Sequence, residues 1–223
     1  MKKNFVVTID GPAGAGKSTV SKALARELSA IYLDTGAIYR AFAFQVLAEG
    51  ILPDDEEKLA ELCSRIKIYL KNIDSTLHVF VNGKNVTQEI RSENIGLIAS
   101  AVSAVPAVRE RLLSVQRDAA GQGGLVADGR DMGTVVFPDA RYKFFLDADQ
   151  EERVRRRFKE IRAQGLDADC KKIALDLAVR DRQDTERSIA PLKPAHGAIV
   201  IDSTNMSVQE IVRKMISVIV ADG

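Results

Sequence analysis

Eight consecutive residues, Gly11, Pro12, Ala13, Gly14, Ala15, Gly16, Lys17 and Ser18, fit G-x-x-x-x-G-K-[ST], with a short apolar run before them and a helical pattern after. Glycines let the backbone curl until several N–H groups converge on one phosphate. The helix that follows presents its positive end to the same point. A lysine here reaches the β and γ phosphates of a nucleoside triphosphate, and the Ser18 hydroxyl can ligate Mg²⁺. A plain glycine-rich turn between strand and helix is the alternative, and the complete pattern in its required context argues against it.

A phosphate-binding loop needs a phosphate acceptor. A signalling GTPase would carry N-K-x-D to read guanine, and no such string occurs. A motor ATPase or helicase is poorly supported by 223 residues. Arginines offer more. Arg180, Asp184 and Arg187 continue a stripe begun by Ile173 and Leu177 at three- and four-residue spacing, so one helical face starts apolar and turns charged. Such a face either points from core into a polar cleft, holding sugar hydroxyls and phosphate, or is a solvated surface carrying an Arg180–Asp184 pair. The run Arg153, Arg155, Arg156, Arg157 and Lys159 is dense in positive charge. It reads as a solvated face or as an arginine lid closing over transferring phosphates. Only Phe158 interleaves with it, which gives base stacking on a nucleic acid little support.

These residues need a frame. Five short apolar runs each stop at a carboxylate: Phe5 to Ile9 at Asp10, Ile31 to Leu33 at Asp34, Leu125 to Ala127 at Asp128, Phe144 to Leu146 at Asp147, and Ile199 to Ile201 at Asp202. Apolar on both faces and separated by helical patterns, they predict an α/β fold, a five-stranded parallel sheet with helices on both faces. Val20, Ala23, Leu24 and Leu28 mark a helix after the loop, and Ile38, Phe42, Val46 and Leu47 one after the second strand. Ser207 caps a last helix over Val208 to Ile219. The stretch from Thr35 to Gly124 is too long for one crossover, so an inserted lobe over 37–118 is expected within a single domain of 1–223. Ile66, Ile68 and Leu70 alternate with polar residues there, and Leu77, Val79 and Val81 run into Asn82-Gly83, which predicts a hairpin and a small antiparallel sheet. A helical pattern over Ser92 to Arg117 breaks at Pro106.

Composition removes other classes. Lys plus Arg number 32 against 31 Asp plus Glu, a balance of +1 that excludes binding DNA or an acidic membrane by overall field. Cys63 and Cys170 stand apart and outside C-x-x-C spacing, which favours free thiols in a reducing compartment over a redox pair. His78 and His196 are isolated, against a zinc site. Lys2 and Lys3 precede an apolar run that Asp10 ends before a signal core or membrane span is complete, so the cytoplasm is the expected location.

The sequence resembles the bacterial cytidylate kinases, among the P-loop nucleoside monophosphate kinases. The resemblance rests on IDGPAGAGKST (Ile9 to Thr19), LDTGAIYR (Leu33 to Arg40), EIR (Glu89 to Arg91), ADGRDMGTVVFPDA (Ala127 to Ala140), FLDA (Phe145 to Ala148) and APL (Ala190 to Leu192). It implies the P-loop nucleoside monophosphate kinase fold and ATP-dependent phosphorylation of CMP and dCMP, with Mg²⁺. Another nucleoside monophosphate or a small acceptor such as shikimate is the alternative. By this resemblance Gly11 through Thr19 hold ATP, Ser18 the metal, and Asp128 acts on the metal only through water. The insert binds the acceptor. Thr35, Tyr39, Arg40 and Arg130 belong to the CMP site, with Arg40 and Arg130 on its phosphate. Ser100, Arg109 and Asp131 read cytosine, and Arg180 and Asp184 hold the sugar with Arg187 nearby. Arg153, Arg156 and Arg157 fall in the lid pattern E-R-x-x-R-R, within a lid region of 149–170, and with Lys17 and Arg130 they form the expected catalytic set. Thr35 stands where some relatives have Ser, and Arg155 fills an x position. Small-molecule substrates, no nucleic acid, no membrane and a monomer complete the expectation.

Overall fold

The computed structural model describes residues 5–73, 76–118, 123–163 and 165–221; Lys2, Lys3 and Gln164 of the expected lid lie outside them. In chain order the strands are β1 (Val6–Asp10), β2 (Ile31–Asp34), β3 (Ile68–Ile73), β4 (Thr76–Val81), β5 (Lys84–Asn85), β6 (Leu125–Gly129), β7 (Tyr142–Asp147) and β8 (Ile199–Asp202). The helices are α1 (Lys17–Glu27), α2 (Thr35–Ala48), α3 (Glu56–Arg65), α4 (Glu93–Val102), α5 (Pro106–Asp118), α6 (Gln150–Ala163), α7 (Cys170–Glu186) and α8 (Val208–Ala221). The chain divides into two compact units, Met1–Leu33 with Ala120–Gly223, and Asp34–Ala119.

The first unit is built on the sheet β2-β6-β1-β7-β8. Its central strand β1 pairs in parallel with β6 (Ile9 opposite Asp128) and with β7 (Ile9 opposite Phe144), and β7 pairs in parallel with β8. All five expected runs are strands, and each reaches its carboxylate. Central strands buried on both faces need no alternation, which is why plain apolar runs encode them. Along β1, Val7 and Ile9 enter a core shared with Leu24 of α1 and with Ile211 and Met215 of α8. On the other face, a Cβ added at Gly133 would meet Thr8 Oγ1 at 3.0 Å and Asp10 Oδ2 at 3.4 Å, so the chain after β6 packs closely there. Ser207 and Glu210 form a reciprocal cap on α8: the Ser207 amide donates to Glu210 Oε2 at 2.8 Å and the Glu210 amide to Ser207 Oγ at 3.3 Å.

The second unit holds the antiparallel sheet β3-β4-β5 and helices α2 to α5. Asn82 and Gly83 take φ of 50° and 87°, the positive pair a two-residue turn between β4 and β5 demands, with Val81 opposite Lys84. Pro106 opens α5, where its missing N–H costs nothing, and so separates α4 from α5. One reading is corrected. Ile66 does not open the first strand of this sheet; it closes α3, its N–H donating to Leu62 O at 2.9 Å, and β3 begins at Ile68. The α3 helix itself was not foreseen from the sequence.

Candidate active site

The end of β1 fixes the loop. Gly11 has φ of 148°, and a Cβ there would fall 1.9 Å from the Leu146 carbonyl oxygen of β7, so only glycine lets the chain leave the sheet at this point. Gly14 and Gly16 also take positive φ, 78° and 91°, and Gly16 is the residue from which α1 starts. Lys17, in the first turn of α1, is buried, with Nζ donating to Pro12 O at 2.7 Å. Burial first, then the nearby Arg130 charge, hold its ammonium down to about 7, against the pull of Asp128, Asp184 and Asp10.

Ser18 and Thr19 are exposed on the same turn. The Ser18 hydroxyl donates to Asp128 Oδ2 at 2.9 Å and the Tyr32 hydroxyl to Asp128 Oδ1 at 3.0 Å, so the carboxylate ending β6 stands beside the loop, oriented from two sides.

Arginines surround this centre, and the structure ties each to a carboxylate. Arg130 Nε donates to Asp184 Oδ2 at 2.7 Å and Nη1 to Gly129 O at 3.2 Å. Burial pulls the Arg130 guanidinium down, and the charge of Asp184 with its hydrogen bond more than restores it, leaving it above its ordinary value. Arg153 is buried; Nε donates to Ala148 O at 3.1 Å, and Nη1 to Ala13 O at 3.2 Å and to Asp181 Oδ2 at 2.5 Å. Arg156 binds Glu152 through Nε at 2.8 Å, Ala15 O and Ser203 Oγ through Nη1 at 3.1 and 3.0 Å, and Ser203 O through Nη2 at 2.6 Å. Arg157 pairs with Glu160 at 2.5 Å, while Arg155 is exposed and held by Glu152. Arg153 and Arg156 thus grip carbonyls of the phosphate loop itself, in addition to lying in the expected lid.

The stripe on α7 is also corrected. Arg180 and Asp184 lie in the helix, but the helix ends at Glu186, and Arg187 follows it at ψ of 139°. From there Arg187 Nη2 comes within 3.8 Å of Asp131 Oδ1, both side chains nearly inaccessible, and Nε donates to Ala190 O at 2.7 Å. Of the two thiols, Cys63 is buried, which pushes it up, and Cys170 is exposed at the start of α7; neither is in a disulfide.

In the second unit, Asp34 caps α2 by accepting from the Ala37 amide at 2.9 Å and holds Arg40 at 3.2 Å. Thr35 is buried at the head of that helix. The Arg109 guanidinium lies 6.0 Å from the centre of the Tyr39 ring and donates to Ser103 O at 3.1 Å, and the Ser103 hydroxyl donates to Ser100 O at 2.7 Å. Tyr39 and Arg109 are therefore neighbours, with Ser100 joined to Arg109 through Ser103.

Four residues of the first unit's site were not singled out by sequence: Asp10, Tyr32, Asp181 and Ser203. Asp10 was visible as a strand-ending carboxylate, without its partners. It is buried, accepts from the Met132 and Gly133 amides at 2.8 Å each, and burial pushes it up to about 6 while those amides pull it back.

A parallel sheet whose central strand empties through such a loop into a helix places the chain in the class of P-loop α/β phosphotransferases. The crystal structure of an uncharacterized protein from Eubacterium ventriosum ATCC 27560 shares the fold, with a TM-score of 0.52 at 12% identity over 97% of this chain and 98% of that one. The sequence model described as Cytidylate kinase matches residues 7–221. A cytidylate kinase of Desulfitobacterium hafniense (strain Y51) is 46% identical over 97% of this chain and 93% of its own length. One of Haemophilus ducreyi (strain 35000HP / ATCC 700724) is 45% identical over 96% of each. The chain belongs to the cytidylate kinase family.

Proposed function

We propose that this chain transfers the γ-phosphoryl group of ATP to CMP and dCMP. What supports this most is family membership across residues 7–221 together with a complete phosphate loop around a buried Lys17. The acceptor phosphate is already anionic at neutral pH, so no general base is required. What remains is in-line alignment and neutralisation of two anions brought together. The loop amides and Lys17 take the ATP phosphates, and those anions push the Lys17 ammonium back up from about 7, so the lysine is charged where charge is needed. Arg130 serves the acceptor and transferring phosphates, with Arg153, Arg156 and Arg157 around the donor.

On the acceptor side we assign Thr35, Tyr39, Arg40, Ser100 and Arg109 of the second unit, and Arg130, Asp131, Arg180, Asp184 and Arg187 of the first. The insert over 37–118 is then the acceptor-binding lobe, and 149–170 the lid. The residues present fit Mg²⁺. Ser18 offers a hard oxygen beside the Asp128 carboxylate, and among the described residues no cluster of three or more His, Cys, Asp or Glu competes as a protein cage. Ser18 would hold the ion, which when bound offsets the charge of the β and γ oxygens. The protein acts as a monomer in the cytoplasm without nucleic acid or membrane partner. The balance of +1 supports only the lack of a nucleic-acid or acidic-membrane partner held by overall field; among the described residues no helix is long and apolar enough to cross a membrane.

The test is ADP release from ATP with a panel of CMP, dCMP, UMP, AMP, GMP and shikimate. Turnover is expected with CMP and dCMP, weaker with UMP and absent with the rest. Turnover that ignores CMP, or favours another acceptor, refutes the reading.

A further inference from the structure

The residue that joins the sheet to the phosphate loop also reaches across to the chain segment carrying Arg130 and Asp131. Immediately after Asp131 the backbone makes one turn of π-helix, Met132–Val136, closed by the Val136 amide on Asp131 O at 3.2 Å and the Phe137 amide on Met132 O at 2.7 Å. The first amides of such a turn have no partner within it, and an aspartate at its head would ordinarily cap them with its own side chain. Asp131 stands at that head, at φ of −145° and ψ of 24°, and makes no side-chain cap. The cap comes from Asp10, whose two carboxylate oxygens take the Met132 and Gly133 amides at 2.8 Å each from 122 and 123 residues away in sequence.

The choice of a carboxylate is informative. Asp10 is only 2% exposed, and burial disfavours its charged form. A neutral residue would fill the space without that cost, but no neutral side chain of this size offers two acceptors to two adjacent N–H groups; an asparagine has one acceptor oxygen and would set its own NH₂ against the second amide. The fit is tight on the far side as well, since a Cβ on Gly133 would approach Thr8 Oγ1 and Ala195 Cβ at 3.0 Å and Asp10 Oδ2 at 3.4 Å.

We infer that Asp10 is a positioning residue of the phosphotransfer reaction. It caps the turn in place of Asp131, releasing the Asp131 carboxylate from that task, and it fixes Arg130 and Asp131 against the strand that carries the phosphate loop. The inference rests on the proposed assignment of Arg130 and Asp131 to the acceptor side. Its consequence is asymmetric. Loosening the clamp disturbs the acceptor and its base, while the ATP loop loses only the smallest of the three carboxylate charges that favour the Lys17 ammonium and keeps the Gly11 contact with β7 and its own glycine geometry.

The experiment compares the parent with Asp10→Asn in the full chain, measuring KM for CMP and for ATP, kcat, and the CMP to UMP ratio of kcat/KM, with thermal melts alongside. A displacement of reacting groups by about 1 Å can cost about 100-fold. Accordingly kcat/KM for CMP should fall roughly 10- to 100-fold, with KM for CMP rising, and the CMP to UMP ratio should narrow, with KM for ATP within about twofold of the parent. A lowered melt with all constants of the folded protein unchanged would make Asp10 a fold clamp only and overturn the inference. An equal rise for ATP and CMP would place its effect on the loop and overturn it too. If Asp10→Asn does not fold, Gly133→Ala loosens the same clamp from its other partner and should give the same split. Amide exchange in the parent offers an independent check, because unprotected Met132 and Gly133 amides would contradict the clamp whatever the variants do. A parent that ignores CMP defeats the proposed function; a parent that uses CMP, with variants lacking the split, defeats this inference alone.

Discussion

Arg153 should be tested first, because its geometry makes a demand that a lid arginine would not. Its side chain is 10% exposed and donates to Ala13 O in the phosphate loop, Ala148 O and Asp181 Oδ2. A Cβ at Gly14 would come within 3.0 Å of Arg153 Cβ, so the arginine's stem also backs the loop by contact. Arg153→Ala strands the Asp181 carboxylate and removes a partner from the Ala13 carbonyl. Breaking a fully buried pair costs about 3–5 kcal/mol. Asp181 retains 24% exposure, so water takes over part of the role and the expected loss is roughly 2–3 kcal/mol. A chain of 223 residues loses about 2–4 °C of melting temperature per kcal/mol, which gives a fall of roughly 4–12 °C by calorimetry. KM for ATP should rise with it. Arg153→Lys keeps the charge but not the fork, and should fall between parent and Ala. An unmoved melt with a collapsed kcat would refute the anchoring and return Arg153 to a purely catalytic role.

Lys17→Ala should lower kcat by roughly two to four orders of magnitude without lowering the melting temperature, and near-normal turnover in the folded variant would refute the loop's role. Its pH signature has a definite sign. Lys17 sits at about 7 folded and 10.5 unfolded, so between those values the unfolded chain binds the extra proton and the parent's stability climbs with pH. Denaturant titrations across that window should show the climb in the parent and its loss in Lys17→Ala. For Arg130 and Asp184, a double-mutant cycle to Ala in stability should give a coupling of about 1–2 kcal/mol, and a value near zero would dissolve the pair. Asp131→Asn, whose amide can donate to the O4 of uracil, should narrow the CMP to UMP ratio of kcat/KM by roughly 1–3 kcal/mol, mainly by damaging CMP; an unchanged ratio would remove Asp131 from base reading.

What was legible in the sequence was local. The central strands were written as apolar runs because both faces of the sheet are covered there, and the Asn82-Gly83 turn and the Pro106 break depend on the backbone limits of single residues. The α3 helix was not legible for the opposite reason. Only Leu59, Leu62 and Cys63 are buried in it, a stripe too narrow to separate from the polar background, and its start depends on the Asp55 side chain accepting from the Lys58 amide. The phosphate loop could be read because glycine geometry and lysine chemistry lie within eight residues. The partners of its arginines could not. Arg153 meets Asp181 across 28 residues and Arg156 meets Ser203 across 47, and nothing in the spacing of either residue announces the other. Arg187 shows the limit of periodicity, because its spacing continues the α7 stripe where the helix has already ended.

The pairing of Arg130, Arg153, Arg156 and Arg157 with carboxylates also explains how a phosphate-handling centre fits a chain of net charge +1. Uncompensated cations around Lys17 would repel one another before any phosphate arrived, and Arg130 already lowers the lysine. A guanidinium carries five N–H donors in a rigid fork, so it can spend some on protein and keep others for an anion, which an ammonium on a flexible stem does less well. The bonds divide the arginines by this measure. Among the described residues, Arg130 commits two donors, to Asp184 and Gly129, and keeps three. Arg153 commits three and keeps two. Arg156 commits four, to Glu152, Ala15 and both oxygens of Ser203, and keeps one. Of these three, Arg130 has the most to offer a moving phosphoryl group, while Arg153 and Arg156 act first by stiffening the loop that receives ATP. Substitutions at Arg130 should accordingly act on turnover more than on melting, and those at Arg156 the reverse.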